Sequence, residues 1–169
     1  RLQGLTLTYL GDGNNILHSL LLLAPLAGVN VNYCCPRQYQ PEAEIVKRAQ
    51  KQAKLGGAKI QSFKTPAAAA KGSHALYTDV FVSMGFEGEK EARMKAFEGY
   101  QLNSALMKKA DPSAIALHCL PMIRGLEITS EVVESKASAL FDQAENRLHA
   151  QKALMVGLYQ GRLARAMGN

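Results

Sequence analysis

The sequence predicts an α/β fold in which a parallel, Rossmann-like sheet is covered by helices on both faces, giving three αβα layers. Strand and helix patterns alternate along the chain, and parallel strands need crossover connections of this kind. The chain also opens on a strand, a glycine-rich turn and a helix, which is the start of a βαβ unit. Residues 1–169 contain no linker and no internal repeat, so we predict a single domain.

The first strand and helix have clear signals. Residues 5–10 alternate apolar and polar side chains and end at the turn formed by residues 11–15. Residues 16–27 then place apolar side chains at helical spacing. We expect Pro25 to shorten or kink this helix and Gly28 to end it.

The later elements continue the alternation. A second helix begins at Pro41-Glu42, since proline suits the first helical turn and an acid suits the N-terminus. The predicted strands cover residues 5–10, 29–34, 59–63, 75–78, 115–118 and 139–141. The predicted helices cover residues 16–27, 41–55, 66–71, 87–98, 102–109 and 144 to about 167.

Composition narrows the class of protein. A chain of 169 residues with 47% apolar content can bury a full core, which argues against disorder. Twenty basic and fourteen acidic side chains give a net charge of +6. The basic residues are scattered and lack aromatic interleaving, so we predict no nucleic-acid binding.

Cysteine usage and hydropathy indicate the compartment. Three cysteines, two of them adjacent at Cys34-Cys35, make a poor disulfide framework, so reduced thiols are expected. The apolar run Leu20–Leu23 is far shorter than the roughly 20 residues of a membrane span. The N-terminus shows no signal segment. We therefore expect a cytoplasmic protein without membrane contact.

Polar groups follow four of the predicted strands. They are residues 12–15, Asp79 with Ser83, the pair His118-Cys119, and residues 142–147. Ligands of open α/β sheets bind outside the carboxyl ends of the strands, so these groups are expected to converge. Together they suit a small zwitterionic ligand, in which Asp79 matches an ammonium and Asn15 with helix-start amides matches a carboxylate.

Each of these residues also has a plain structural interpretation. Asp79 alone could cap a helix or stabilise a turn, and Cys119 alone is more often a small buried apolar residue. His118 is commonly a core side chain, and Arg147 beside Glu145 could be a surface charge. Only their convergence favours a binding site.

Cofactor and metal motifs are incomplete. In the first turn Ile16 replaces the third glycine of the dinucleotide fingerprint, and no acid closes the second strand, which disfavours a nicotinamide cofactor. The histidines and cysteines show no paired metal-ligand spacing. His118 and Cys119 are strand neighbours that point to opposite faces, so a direct dyad is disfavoured. We predict neither a metal nor a cofactor.

A set of motifs resembles ornithine carbamoyltransferase, and specifically its C-terminal, L-ornithine-binding domain. The motifs occur in the family's order over nearly the whole chain and favour ornithine over aspartate as the substrate class. They are Gly11-Asp12-Gly13-Asn14-Asn15 with His18-Ser19, Asp79-Val80-Phe81-Val82-Ser83-Met84-Gly85, Phe97-Glu98-Gly99-Tyr100-Gln101, His118-Cys119-Leu120-Pro121 with Arg124-Gly125, and Ala144-Glu145-Asn146-Arg147.

The resemblance implies a role for each matching residue. Asn15 and the Met84 backbone would hold the α-carboxylate of L-ornithine, and Asp79 and Ser83 its α-amino group. Cys119 would face the δ-amino group and, with Asp79, help it shed a proton.

The resemblance also implies the second substrate and the reaction. Cys119, Leu120 and Arg147 would reach the carbamoyl group of carbamoyl phosphate, so the catalytic residues would be Asp79, Cys119 and Arg147. The reaction would be attack of the δ-amine on the carbamoyl carbon, giving L-citrulline and phosphate in arginine biosynthesis. The family's N-terminal phosphate-binding motifs are missing, so the chain is expected to be inactive alone and to meet carbamoyl phosphate only with that domain.

Four apolar side chains depart from the family's motifs. Phe86, Met122, Ile123 and Leu126 stand where polar or small residues are usual. A contiguous exposed apolar patch marks an interface, so the alternative interpretation is an excised or engineered scaffold domain that forms a homo-oligomer through these residues. Ordinary drift, or a loop that packs inward, would explain them equally well.

Overall fold

The computed structural model describes residues 1–83, 85–161 and 165, and it contains one parallel five-stranded sheet. The strands are β1 (Thr6–Leu10), β2 (Asn30–Cys34), β3 (Ile60–Ser62), β4 (Ala75–Thr78) and β5 (Ile115–His118). Their order in the sheet is β3-β2-β1-β4-β5, and every pairing is parallel. The predicted α/β class is confirmed.

Helices connect the strands and cover the sheet. Within the described residues they are α1 (Asn15–Leu23), α2 (Ala43–Gly56), α3 (Pro66–Ala70), α4 (Lys90–Ala96), α5 (Ser104–Met107), α6 (Ser130–Val133) and α7 (Leu140–Tyr159). Short 3-10 turns lie at Ala24–Ala27 and Glu87–Glu89. No helix of the described residues combines the length and hydropathy needed to cross a membrane.

The core is divided by the sheet into two apolar layers. Because side chains alternate along a strand, Tyr9 and Leu10 of β1 belong to different layers, and so do Leu76 and Tyr77 of β4. Helices α1 and α2 close the layer of Tyr9 and Tyr77 through Leu17, Leu21 and Ala49. The other layer is closed by α3, α5, α6 and the first residue of α7 through Ala69, Ala70, Leu106, Val132, Val133 and Leu140. This arrangement gives the three αβα layers predicted.

The predicted sixth strand at residues 139–141 is wrong. Ser138 forms a single bridge to Ala116 of β5, and α7 already begins at Leu140. Leu140 is fully buried in the core, so the short apolar run is the anchored start of a helix. Periodicity cannot separate a strand from a buried helix segment over three residues.

Several predicted helices are shorter in the structure. Helix α1 ends at Leu23, and Pro25 lies in the following 3-10 turn, which Gly28 closes in the left-handed conformation at φ 75°. The predicted helix 87–98 divides into a 3-10 turn and α4. The predicted helix 102–109 shrinks to α5, whose start is set by Asn103, which caps the helix by accepting the Leu106 N–H. Of the predicted end of the last helix, residues 162–164 and 166–169 lie outside the described residues.

Candidate functional site

The polar groups singled out in the sequence meet at the carboxyl ends of neighbouring strands. The turn 11–14 follows β1, Asp79 follows β4, and Cys119 follows β5. The start of α7 joins this edge because the His118 backbone N–H donates to Gln143 Oε1 at 3.1 Å. The parallel sheet therefore assembles one cleft from four separate segments.

Asp79 is the centre of the site. It is buried, and its Oδ1 accepts hydrogen bonds from the Val80 backbone N–H at 2.8 Å and from the Cys119 thiol at 3.0 Å. Its Oδ2 accepts a bond from Asn14 Nδ2 at 2.8 Å. Three donors thus fix the carboxylate and hold a negative charge at the mouth of the cleft.

Asn14 joins Asp79 to the first helix. Its Oδ1 caps α1 by accepting the backbone N–H groups of Ile16 at 3.0 Å and Leu17 at 3.3 Å, while its Nδ2 bonds Asp79. An asparagine N-cap stabilises a helix by about 1 kcal/mol. The same side chain therefore sets the helix start and orients the carboxylate.

Gly13 allows the turn to pack against a second loop. A Cβ atom at this position would lie 2.2 Å from the Pro41 backbone nitrogen, so only glycine fits. Gly13 N–H also donates to the Tyr39 carbonyl at 2.8 Å. The glycine-rich turn is thus held in place by residues 39–41.

Cys119 is a protonated thiol at neutral pH. Burial raises its pKa to about 12, and the hydrogen bond and negative charge of Asp79 add to the effect. The thiolate form is therefore rare, and the S–H group acts as a donor to the Asp79 carboxylate. Such a thiol can relay a proton to an adjacent carboxylate, but it is a poor free nucleophile.

A cavity of about 390 Å³ opens beside the thiol. Its lining consists of Ile16, Cys119, Gln143, Ala144 and Arg147. The cavity therefore brings together two predicted site residues, Cys119 and Arg147, from β5 and α7. A guanidinium beside a thiol donor suits the oxygen of a planar, polar group.

The His118 side chain lies on the opposite side of the sheet from Cys119, as the alternation of side chains along β5 predicts. It is fully buried, with Nε2 3.3 Å from Glu127 Oε1 and with Nδ1 accepting the Leu120 N–H at 2.9 Å. Glu127, also fully buried, accepts the Ile123 N–H. Leu120 is held at φ 57°, a conformation that costs an ordinary residue roughly 1–3 kcal/mol. The histidine thus shapes the loop after Cys119.

Asp12 has a structural partner. Its Oδ2 lies 2.6 Å from Arg93 Nη1 of α4, and both side chains are almost fully buried. The Arg93 guanidinium also bonds Glu89 and stacks on the rings of Tyr39 and Phe86, each 4.5 Å from the ring centroid. This cluster ties the β1 turn to the segment that follows Asp79.

Two further predicted residues, Asn15 and Ser83, follow β1 and β4. Asn15 is the first residue of α1 and is exposed, next to the half-buried cap Asn14. Ser83 is half-buried, and its carbonyl accepts the Phe86 N–H at 3.1 Å. Met84 lies outside the described residues.

Three potential metal ligands converge within the described residues. Asp79, His118 and Cys119 each place one ligand atom within 4.8 Å of the other two. These side chains already hold hydrogen bonds, from the Cys119 thiol to Asp79 and from Leu120 N–H to His118 Nδ1. The cluster is accounted for by these bonds, so a metal is not needed to explain it.

The apolar patch predicted as an interface, here called the loop surface, is only partly exposed. It consists of Phe86, Met122, Ile123 and Leu126. Phe86 and Ile123 are 44% and 53% exposed. Met122 packs against the core, and Leu126 lines a cavity with Phe81 and Phe97. The loop therefore turns half of its apolar side chains inward, which is the alternative that the sequence left open.

The larger exposed apolar surface lies on α7. Of its twenty residues, all described, Leu140 alone is buried. The exposed apolar side chains are Phe141, Leu148, Leu154, Met155, Val156, Leu158 and Tyr159. A helix of this character is normally covered by another protein surface.

Sequence reasoning assigned no specific role to the residues that support the site. Asn14 precedes a helix and matches the N-cap pattern, so it could have been found. The partners Arg93, Glu127 and Gln143 are distant in sequence from the groups they hold. Only the fold brings them together.

Comparison with known proteins identifies the family to which this chain is similar. The family model for the Asp/Orn-binding domain of aspartate/ornithine carbamoyltransferase matches residues 3–158. The ornithine carbamoyltransferase of Synechococcus elongatus is 58% identical over 155 residues, which are 90% of this chain and 50% of that protein. That of Synechocystis sp. is 55% identical over 158 residues, covering 94% and 51%.

Solved structures of ornithine carbamoyltransferases have the same fold as this chain. Ornithine carbamoyltransferase from Gloeobacter violaceus superposes with a TM-score of 0.84 at 46% identity, covering 92% of this chain and 51% of that one. The enzyme from Pyrococcus furiosus gives 0.87 at 42% identity, covering 91% and 49%. The chain thus spans about half the length of the relatives it matches. From its fold, its strand-end cleft and these matches, the chain belongs to the aspartate/ornithine carbamoyltransferase family, as an Asp/Orn-binding domain.

Proposed function

We propose that this chain is the L-ornithine-binding half of an ornithine carbamoyltransferase. The observation that carries the proposal is the 3.0 Å hydrogen bond from the Cys119 thiol to Asp79, beside a cavity shared with Arg147. A fixed carboxylate, a protonated thiol and a guanidinium are the groups needed to hold an amine next to a carbamoyl group.

The ornithine contacts follow from the positions of the charges. Asp79 and Ser83 bind the α-ammonium, while Asn15 at the start of α1 and the backbone of Met84 bind the α-carboxylate. The buried negative charge of Asp79 and the positive end of the α1 helix dipole favour this orientation. The side chain of ornithine then extends toward Cys119.

The chemistry requires a neutral δ-amine. Cys119 takes a proton from the δ-ammonium as it passes its own to Asp79, so the thiol needs no standing negative charge. The amine nitrogen then bonds to the carbamoyl carbon, and the carbon–oxygen bond to phosphate breaks with its electron pair leaving on phosphate. The nitrogen passes its second proton to the departing phosphate, which completes L-citrulline. Leu120 and Arg147 orient the carbamoyl oxygen throughout.

Carbamoyl transfer requires a second half. The chain covers about half of its relatives, and α7 exposes an apolar surface directly beyond the turn that carries Arg147. We propose that a carbamoyl phosphate-binding domain packs on α7 and completes the cleft from that side. The self-associating scaffold gains less support, because Met122 of the loop surface packs on the core.

Calorimetric titration and a product assay test the proposal. The chain should bind L-ornithine more tightly than L-aspartate, because Asp79 repels the second carboxylate of aspartate. With carbamoyl phosphate added, the chain alone should form no L-citrulline. Equal affinity for the two amino acids, or steady citrulline production, would contradict the proposal.

A further inference from the structure

Asn14 contacts the carboxylate of Asp79 through an amide whose orientation is fixed by its neighbours. Its Oδ1 lies 3.0 Å from Ile16 N, 3.3 Å from Leu17 N and 3.4 Å from the hydroxyl of the fully buried Tyr9. The two backbone N–H groups can only donate, so the amide atom that faces them must be the oxygen. The amide nitrogen therefore faces Asp79 Oδ2, 2.8 Å away, and donates to it.

The two oxygens of the Asp79 carboxylate are not equally occupied. Oδ1 accepts the Val80 backbone N–H at 2.8 Å and the Cys119 thiol at 3.0 Å. Among the described residues, Oδ2 accepts a hydrogen bond from Asn14 alone. Since an ionised carboxylate has about two acceptor positions on each oxygen, the open position is on Oδ2, beside Asn14.

We propose that Asn14 is a positioning residue that makes the site selective for ligands with an α-ammonium group. By holding Oδ2 from one side, it fixes the plane of the Asp79 carboxylate, with Oδ1 turned to the Cys119 thiol and the open position of Oδ2 left to the ammonium. Its own oxygen meanwhile holds the start of α1, where the ligand carboxylate is proposed to bind. Its part in binding rests on the proposed function.

A role as the cap of α1 alone would explain Asn14 without any part in binding. Serine and aspartate cap helices about as well as asparagine, so substitutions can keep the cap and change the contact with Asp79. Asn103 provides the matched control, because it caps α5 by accepting the Leu106 N–H at 3.1 Å.

Urea unfolding of Asn14→Asp tests the contact with Asp79 without any ligand. Two carboxylates in contact repel when both are ionised, so the unfolding midpoint, relative to the unsubstituted chain, should fall between about pH 4 and about pH 7. An aspartate that only caps α1 is favoured by the helix dipole when ionised, so the midpoint would rise or stay level. Asn103→Asp should rise or stay level. The same result in Asn14→Asp would overturn the inference.

The other titratable groups near Asn14 do not produce this pH dependence. Burial raises the pKa of the Tyr9 hydroxyl and of the Cys119 thiol, so both keep their protons at neutral pH. Asp12 is paired with Arg93. These groups are common to the variant and the unsubstituted chain, so the comparison between the two removes their contribution.

Titrations with L-ornithine and with 5-aminopentanoate test the selectivity. The second ligand keeps the carboxylate and the δ-amine of ornithine but lacks the α-ammonium. Asn14→Ser keeps the cap but leaves the Asp79 carboxylate to be ordered on binding, so affinity for L-ornithine should fall roughly three- to tenfold. Affinity for 5-aminopentanoate should change less than about twofold, whereas damage to α1 would weaken both ligands alike.

The outcomes separate the selectivity from the proposed function. Equal weakening of both ligands in Asn14→Ser, or unchanged affinity for L-ornithine, would overturn the inference and leave the function standing. No binding of L-ornithine by the unsubstituted chain would defeat the function, and the selectivity with it.

Discussion

The cleft at the strand ends and the outer part of α7 have opposite characters. In the cleft, Asp79 accepts hydrogen bonds from Asn14 and Cys119 at 2.8 and 3.0 Å. The ion pair Asp12–Arg93, which supports the cleft, is buried. On α7, every residue after Leu140 is at least partly exposed, although many are apolar. The chain thus pairs the polar groups of the cleft with one another and leaves an apolar helix without cover from its described residues.

The contrast between the cleft and α7 suggests that binding and catalysis depend on different parts of the proposed site. Asp79, proposed to hold the α-ammonium of ornithine, is ordered by contacts inside the chain with Asn14 and Cys119, so it needs no partner to take its position. Arg147 stands on α7 where the helix leaves the core, at the boundary between the two regions. In the proposed function, ornithine recognition therefore belongs to this half, whereas carbamoyl transfer depends on the partner proposed to cover α7.

The largest effect is expected from breaking the ion pair that supports the cleft. Arg93→Met leaves Asp12 buried without its cation, which should lower the free energy of unfolding by about 3–5 kcal/mol. Arg124→Met is the control, because its pair with Glu134 is exposed and should contribute about 0–1 kcal/mol. Urea unfolding of both variants measures the difference. Equal losses would show that the cleft is no more rigidly supported than the surface.

A smaller effect is expected from α7. The isolated chain should self-associate through this helix, and replacing Leu154 and Leu158 by serine should weaken association by roughly 1–2 kcal/mol for each leucine. Ile123→Ser, on the loop surface, should change it little. Sedimentation at high micromolar concentration distinguishes the two surfaces. If Ile123→Ser alone abolishes association, the loop is the interface and the role given to α7 is wrong.

The sequence was sufficient for the sheet because alternating strands and helical crossovers are local patterns. The prediction failed where a short apolar segment could form either a strand or a helix, as at Leu140. This residue is buried in the core as the first residue of α7. Helix starts also depended on single caps such as Asn103, which sets the start of α5.

The site was predicted in outline by the motifs that follow the strands. Cys119 and Arg147 do share a cavity, and Asp79 does contact the thiol. The motifs could not tell whether Asn14 or its neighbour Asn15 bonds Asp79. The answer depends on which residue caps α1, and the structure shows that it is Asn14. Nor could the motifs reveal the hydrogen bond between Gln143 and Tyr77, which joins residues 66 positions apart.

Backbone-amide NMR during an L-ornithine titration tests the central claim most directly, since it reports binding and location together. We expect shifts at Asn15, at residues 79–85 and at Cys119, with few changes on α7 beyond Arg147. Asp79→Asn should abolish them, because the ammonium loses its buried charge partner at a cost of roughly 2–5 kcal/mol. The exposed substitution Glu91→Gln should leave them intact. No shifts at millimolar ornithine, or the same shifts in Asp79→Asn, would contradict the account of a self-sufficient ornithine-binding half.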